Sequence, residues 1–519
     1  MSLSITKQDS DKQSKLWTYH VVCAHSYPEF GIGVNGQLPW FLKGDLQNFK
    51  TITTSQTGLN FVVMGRATYD SLPFSVKPLQ NRINIIITND AFLLENNNMP
   101  QNTWYTTWTE LQKTLSEKYN EYESKSATKD VFIIGGAEIY KLAFDTLEIS
   151  TAYITEVYYN DKKTDKTYLT FDKFFPSYDS TSWRYGPTNN SLELCSVSKF
   201  HNEKGVNYRY LVYKSHVPPG YTWQSEESLQ YLKIMQDILD RGDERVDRTQ
   251  IGTISLFHTV QRYDLGDTFP LCTTKRMFFR AIFEELALYI SGRTDNKILQ
   301  DKGIHIWDGN TTREFLDKRG LTHYPEGDMG ETYGFNFRHY GASYTTCKDV
   351  LPLDSSVGYD QIANIIHLLK TDPASRRMII NLWNPATQHN AALPACLMMY
   401  QFHVNMQRKT LNCQLYIRSS DYFLANNWNV CTGALLVNML CKLEGIDLVP
   451  GELIIVTGDT HLYKSHLPQV RENLGRKPYP FPALEIKGGK RCELTDFTFE
   501  DFRLVGYKSH PGISAVMAV

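Results

Sequence analysis

Up to about residue 215 the hydrophobic residues of this chain fall in short continuous runs, and beyond that point they fall in longer periodic stretches. The runs at 61–64, 83–87 and 131–134 are separated by helix-compatible segments. Strands covered on both faces of an α/β sheet have this pattern, so a doubly wound sheet with helices on both faces is predicted there. Later, the amphipathic stretch at 280–289 and the strand-like stretch at 411–416 mix the two periods, which predicts an α+β layer architecture. Between the two patterns the strand-like 208–213 gives way to the helical 228–235 across His216-Val217-Pro218-Pro219-Gly220, a breaker cluster. The predicted organisation is a polar tail at 1–16, a first domain at 17–215, a short linker at 216–225 and a second domain at 226–519.

A chain of 519 residues with 42% hydrophobic content exceeds one ordinary core, in keeping with that division. The formal net charge of -2, without a Lys/Arg block, argues against broad nucleic-acid binding but leaves room for local pockets that take small phosphates. Nine scattered cysteines without a C-x-x-C suit reduced thiols better than a disulfide framework or a zinc site, and no metal is implied. Residues 1–16 lack the apolar centre of a secretory signal, and no stretch is long enough to span a bilayer, so a cytoplasmic protein is expected.

In the first half a glycine-punctuated loop at 31–40 feeds a helix that carries Asp45 and Phe49, four apart and therefore on one face. A carboxylate that can receive paired N–H donors beside an aromatic ring suits a pteridine, although an isolated acid near a helix start is ordinarily a solvated capping residue. Gly135-Gly136 at a strand end before a helix lets backbone approach a pyrophosphate. Arg66 at a helix start and Arg82 after Pro78 carry the guanidinium that pairs with phosphate or carboxylate. The blocks Met64-Gly65-Arg66-Ala67-Thr68, Pro78-Leu79-Gln80-Asn81-Arg82 and Ile134-Gly135-Gly136-Ala137-Glu138 occur in this order and, over 17–215, resemble dihydrofolate reductase. The resemblance implies that Asp45, supported by Thr155, binds the pterin and promotes its protonation. It places Val22, Cys23, Ala24, Phe49 and Ile134 in the folate pocket and Arg82 on the folate glutamate carboxylate. It also implies NADPH, held by Ala24, Gly65, Arg66, Ala67, Thr68, Thr88, Gly135, Gly136 and Tyr140, with Arg66 on the 2′-phosphate.

In the second half Cys396 follows Leu393-Pro394-Ala395, and Ile417-Arg418-Ser419-Ser420-Asp421 ends another strand-like segment. A thiolate near arginines can add to an electron-poor ring that carries a phosphate, because thiolate and phosphate need the same positive field. With Asp247-Arg248-Thr249, Pro270 to Arg276, Arg376-Arg377, Asn429 and His461-Leu462-Tyr463, the order over 226–519 resembles thymidylate synthase. That resemblance makes Cys396 the nucleophile at C6 of dUMP and puts Arg248, Arg418 and Ser419 on its phosphate. Asn429, His461 and Tyr463 orient the nucleoside, and Glu285 and Tyr333 serve proton transfer. Asp421 belongs to the nucleotide site and, with Trp307 and Asn310, borders the 5,10-methylenetetrahydrofolate site, which Val519 helps to close. Arg376 and Arg377 reach the phosphate in the opposite subunit, so a homodimer through this domain is implied.

Fused in this order, the two halves resemble the bifunctional enzymes of plants and protists. The synthase releases dihydrofolate and the reductase returns it to tetrahydrofolate. The second half departs from the common family pattern at Leu397, Ile417, Thr249-Gln250, Asn336-Phe337 and 424–429. Leu397 and Ile417 lack polar ends, so altered rate or affinity is expected there. Two rival readings are a monofunctional synthase with a non-catalytic folate-binding module and an RNA-binding regulator. Asp45, Arg66, Arg82 and Gly135-Gly136 oppose the first. The second lacks a basic stripe with interleaved aromatics.

Overall fold

The computed structural model describes residues 17–95, 100–122, 127–158, 170–178, 182–186, 190–215, 226–246, 251–353 and 356–517. The chain divides into two compact units, 1–223 and 224–519. The expected tail at 1–16 and linker at 216–225 lie outside the described residues.

The N-terminal unit contains β1 (Thr18–Ser26), β2 (Gly31–Gly33), β3 (Leu59–Gly65), β4 (Arg82–Ile87), β5 (Thr103–Thr106) and β6 (Ala127–Ile133). It continues with β7 (Ile149–Tyr158), β8 (Lys173–Phe174), β9 (Ser182–Tyr185), β10 (Asn190–Val197), β11 (His201–Glu203) and β12 (Val206–Lys214). One ten-stranded sheet runs β5-β4-β3-β6-β1-β7-β12-β10-β9, with β11 beside β12. Neighbours from β5 to β7 are parallel, and β12, β10 and β9 complete the sheet antiparallel. Parallel strands need crossovers, supplied in part by helices α1 (Lys43–Thr53), α2 (Arg66–Ser71) and α3 (Ala137–Thr146). Strand alternation assigns the two faces. Phe61 and Val63 of β3 join one core with Ala143 and Phe144 of α3, whereas Val62 and Met64 join the opposite one with Phe49 of α1 and Tyr69 of α2. The continuous apolar runs are therefore buried from both sides, as predicted. The loop expected at 31–40 is in part a strand, because Gly31–Gly33 pairs with β8. Its partner lies too far along the chain for any local pattern to announce it.

The C-terminal unit contains α4 (Glu226–Arg241), β13 (Asp243–Arg245), β14 (Thr253–Asp264), α5 (Phe279–Ile290), α6 (Tyr333–Arg338) and β15 (Ile379–Asn381). Then come β16 (Leu397–Asn405), β17 (Thr410–Asp421), α7 (Asn426–Cys441) and β18 (Val449–Tyr463). A six-stranded sheet runs β13-β14-β18-β17-β16-β15, parallel between β17 and β18 and antiparallel elsewhere. Helix α7 is apolar on all sides and buried along nearly its whole length, in one core with Cys413, Leu415, Leu453 and Ile455 of the sheet. The strand expected at 411–416 runs on without a break to Asp421, so Arg418, Ser419 and Asp421 share it. All nine cysteines are free. Among the described residues no helix is long and apolar enough to cross a membrane.

Candidate active sites

In the N-terminal unit most of the predicted residues lie toward the carboxyl ends of the parallel strands, where ligands bind in open α/β sheets, whereas Arg82 stands at the amino end of β4. Ala24 of β1 is the register partner of Thr155 on β7, and the Thr155 hydroxyl donates to Asp45 Oδ1 at 2.7 Å. Tyr140 donates to the Val22 carbonyl at 2.7 Å, which ties α3 to β1 beside Cys23. Phe49 and Ile134 pack in one core with Val22. The Gly65 amide donates to the Gly135 carbonyl at 2.7 Å, and a Cβ on Gly136 would stand 3.2 Å from the Thr68 hydroxyl. The Gly135-Gly136 turn, with Gly135 at φ +111°, therefore lies against the first turn of α2, which carries Arg66, Ala67 and Thr68. Thr88 follows β4, and its hydroxyl accepts from the Asp90 amide at 3.2 Å.

Burial pushes the Asp45 carboxyl up to about 6, Thr155 pulls it down, and the negative charge of Glu203 adds to the rise. Arg82 is buried, donates to the Thr53 hydroxyl and the Gln80 carbonyl, and lies over the Phe49 ring. No carboxylate pairs with it among the described residues, and burial lowers its guanidinium to about 10. A buried cation of this kind fits an incoming carboxylate. Arg66 is half-exposed and already engaged, with Nε at 2.6 Å from Asp70 and Nη1 at 3.8 Å from Asp90. An anion arriving there meets a guanidinium shared with two acids.

In the C-terminal unit Cys396 immediately precedes β16 and is half-buried. Its amide donates to the Tyr333 hydroxyl at 2.8 Å, and Arg418 Nη2 stands 3.7 Å from its sulfur. The guanidinium is oriented by the Ala395 and Pro394 carbonyls at 2.9 and 3.0 Å and lies over the Trp383 ring. Burial and the nearby Cys396 thiol raise the Tyr333 phenol. Glu285 is buried on α5 and accepts three hydrogen bonds, from Trp307 and Trp428 at 2.7 Å and from Tyr289 at 2.8 Å. Burial raises its carboxyl, and these donors pull it partly back. Trp307 packs edge-on to Tyr333, which joins the Glu285 cluster to Cys396.

On the neighbouring strands Asp421 and His461 are register partners, as are Ser419 and Asp459. His461 Nδ1 contacts Asp459 at 2.9 Å, and Tyr463 packs edge-on to its ring. Asp421 accepts from the Phe423 and Leu424 amides at 3.1 and 3.0 Å, which turns the chain into α7, where Asn429 is half-buried. Asn310 is buried in the short helix after Trp307. Arg248 and Val519 lie outside the described residues. Arg376 and Arg377 are exposed next to the edge strand β15, and no ion pair engages them among the described residues.

Leu397 and Ile417, two of the departures, are register partners and both buried, so the apolar pair leaves no polar atom unsatisfied. Trp428, Tyr289, Trp383 and Glu203 were not singled out from the sequence. Tyr289 carried a readable signal, its place four residues after Glu285 on one helix face. The others reach their sites from distant segments.

Two sheets, each with polar groups converging at strand ends, define a fusion of two enzymes. Residues 19–198 match the dihydrofolate reductase family and residues 229–519 the thymidylate synthase family. The chain is 38% identical over 491 residues to a bifunctional dihydrofolate reductase-thymidylate synthase of Paramecium tetraurelia, covering 94% of this chain and 96% of that one. It is 36% identical over 528 residues to the bifunctional dihydrofolate reductase-thymidylate synthase 1 of Arabidopsis thaliana, with 97% and 96% covered. A Leishmania major relative of the same name is 35% identical over 525 residues, with 95% and 93% covered. The chain belongs to the bifunctional dihydrofolate reductase-thymidylate synthase family and carries both enzymes, which favours the bifunctional reading over the monofunctional one.

Proposed function

We propose that the C-terminal unit transfers a one-carbon unit to dUMP through Cys396, and that the N-terminal unit reduces the dihydrofolate so released. The observation that carries the first half is the contact of Cys396 Sγ with Arg418 Nη2 at 3.7 Å. A guanidinium so placed stabilises the thiolate and leaves N–H groups for the substrate phosphate. Attack of the thiolate at C6 makes C5 of the uracil ring nucleophilic toward the methylene carbon of the folate. Tyr333 and Glu285 then handle protons, and Arg418 with Ser419, Asn429, His461, Tyr463 and Asp421 holds the nucleotide. 5,10-Methylenetetrahydrofolate supplies both carbon and hydride: C5 gives up its proton, the hydride completes the methyl group, and the Cys396–C6 bond breaks to free dTMP while the folate is left as dihydrofolate.

In the N-terminal unit Asp45, with its raised carboxyl and Thr155 partner, binds the pterin and holds the proton that reduction requires. NADPH supplies the hydride. Gly135, Gly136, Gly65, Thr68 and Arg66 would hold it, a fit supported by the close backbone approach at Gly136 and the adjacent start of α2. Arg82 would clamp the folate carboxylate.

A homodimer through the C-terminal sheet is part of this reading. Opposite the face that carries Leu415 and Leu453, Val260, Val456, Tyr416 and Met399 align across four strands and remain partly open in a single chain. Phe257, at 79% exposed, lies on β14 of the same sheet. Such a face suits an isologous partner, which would bring Arg376 and Arg377 to the neighbouring site.

The test is a coupled assay of the purified chain with dUMP and methylenetetrahydrofolate, adding NADPH after dihydrofolate has formed. Cys396→Ala should stop dihydrofolate formation, and Asp45→Asn should let it accumulate. Wild-type protein that leaves dihydrofolate unreduced would overturn the reductase assignment.

A further inference from the structure

We propose that Glu203, at the tip of the β11–β12 hairpin, is a positioning residue of the reductase site, holding Asp45 through the first-turn amides of α1 and setting the charge it faces. The inference rests on the reading of Asp45 as the proton-handling group. Helix α1 begins after Leu42, whose side chain offers no acceptor to the leading amides. Those amides are met from outside the helix. Lys43 N–H donates to Glu203 Oε1 at 2.9 Å and Gly44 N–H to Oε2 at 3.1 Å. One amide on each oxygen fixes the carboxylate and the helix end in two directions, where a single cap would leave a pivot. Asp45 is the next residue.

The hairpin that presents Glu203 is itself stiff. Its two turn residues, Lys204 and Gly205, have φ +53° and +81°, the signature of a tight two-residue connection. Strand β12 then runs beside β7, with Tyr210 in register with Thr155, the other residue that grips Asp45. Asp45 is thus held from β7 through its side chain by Thr155, and the two residues before it are held through their amides by Glu203 of β11, with β12 between the two strands. Gly44 permits the approach, since a Cβ there would run into the Tyr208 hydroxyl.

The amides of Lys43 and Gly44 keep the Glu203 carboxyl low and therefore charged, and its charge adds to the rise at Asp45. The other groups that face Asp45 are Thr155, which pulls it down, Cys23, Tyr140, Tyr208 and Tyr210, while the positive charges of Lys204 and Lys43 face Glu203.

The test uses the full chain with Glu203→Gln and Glu203→Ala, reading reductase kcat against pH, KM for dihydrofolate, and synthase activity as a control for folding. Glu203→Gln removes the charge but keeps an acceptor. The pH at which kcat falls should move down in both variants, and Glu203→Ala should also lose about three- to tenfold in kcat, the scale of a lost helix cap. An unshifted limb in Glu203→Gln overturns the proposal, whatever its kcat. Gly44→Ala, which presses the first turn against Tyr208, should lower reductase kcat while leaving synthase activity intact, and full reductase activity there also overturns it. Undiminished reduction by Asp45→Asn would instead overturn the assignment of Asp45, an outcome distinct from either.

Discussion

The Thr155 hydroxyl donates to Asp45 Oδ1 at 2.7 Å and is the pull that holds down a carboxyl which burial has pushed up to about 6. Thr155→Val removes the donor at nearly constant shape. The Asp45 carboxyl should then rise further, and the alkaline fall of reductase kcat should move to higher pH. A profile that moves to lower pH would contradict this assignment of causes.

The raised Asp45 carboxyl also has a cost in stability. Its ordinary value is 3.8 and its folded value about 6, so between these the native state binds more protons than the unfolded one. Stability contributed at this site therefore falls as pH rises from about 4 to about 6 and stays lowered above. Asp45→Asn should stabilise the N-terminal unit at pH 7.5 by on the order of 1–3 kcal/mol and give nothing below pH 4. Urea unfolding at the two pH values measures it.

Trp428 supplies one of three donors that offset burial at Glu285. With Trp428→Phe the Glu285 carboxyl should rise, and the alkaline limb of the synthase pH profile should move up with it. Loss of one hydrogen bond to a buried acid should lower synthase kcat/KM by roughly tenfold to a hundredfold. Reductase rates in the same preparation should not change.

Leu397 and Ile417 face one another in register within the core. A lone Leu397→His places a polar ring against an aliphatic one and should cost about 1–3 kcal/mol. Adding Ile417→Gln supplies a partner and should recover part of that loss, with a shift in the steady-state constants of the synthase. A double variant no more stable than the sum of the singles would mean that the two positions do not act as a pair.

If Arg376 and Arg377 complete the partner's site, two inactive chains should rescue one another. Cys396→Ala mixed with a chain carrying Arg376→Ala and Arg377→Ala forms heterodimers in which one site has both an intact thiol and intact arginines. Random re-pairing should restore about a quarter of synthase activity. No recovery after demonstrated subunit exchange would remove these arginines from the site.

The amino-acid order by itself determined the central buried strands, carried by the runs at 61–64, 83–87 and 131–134, because an apolar run buried from both sides is legible wherever it falls. It also determined groups that are neighbours in the chain, such as Gly135 with Gly136 and Cys396 after Pro394-Ala395, and it offered Tyr289 through helical spacing. Tertiary structure alone decided which strand lies next to which. The same runs would read alike in any order across the sheet, since burial is non-directional while register is set by long-range pairing. For that reason Thr155 meeting Asp45, Trp307 and Trp428 converging on Glu285, and Glu203 closing the start of α1 belong to the fold. Hydrogen bonds are directional and short, so each of these contacts exists only once distant segments have been brought to within about 3 Å of one another.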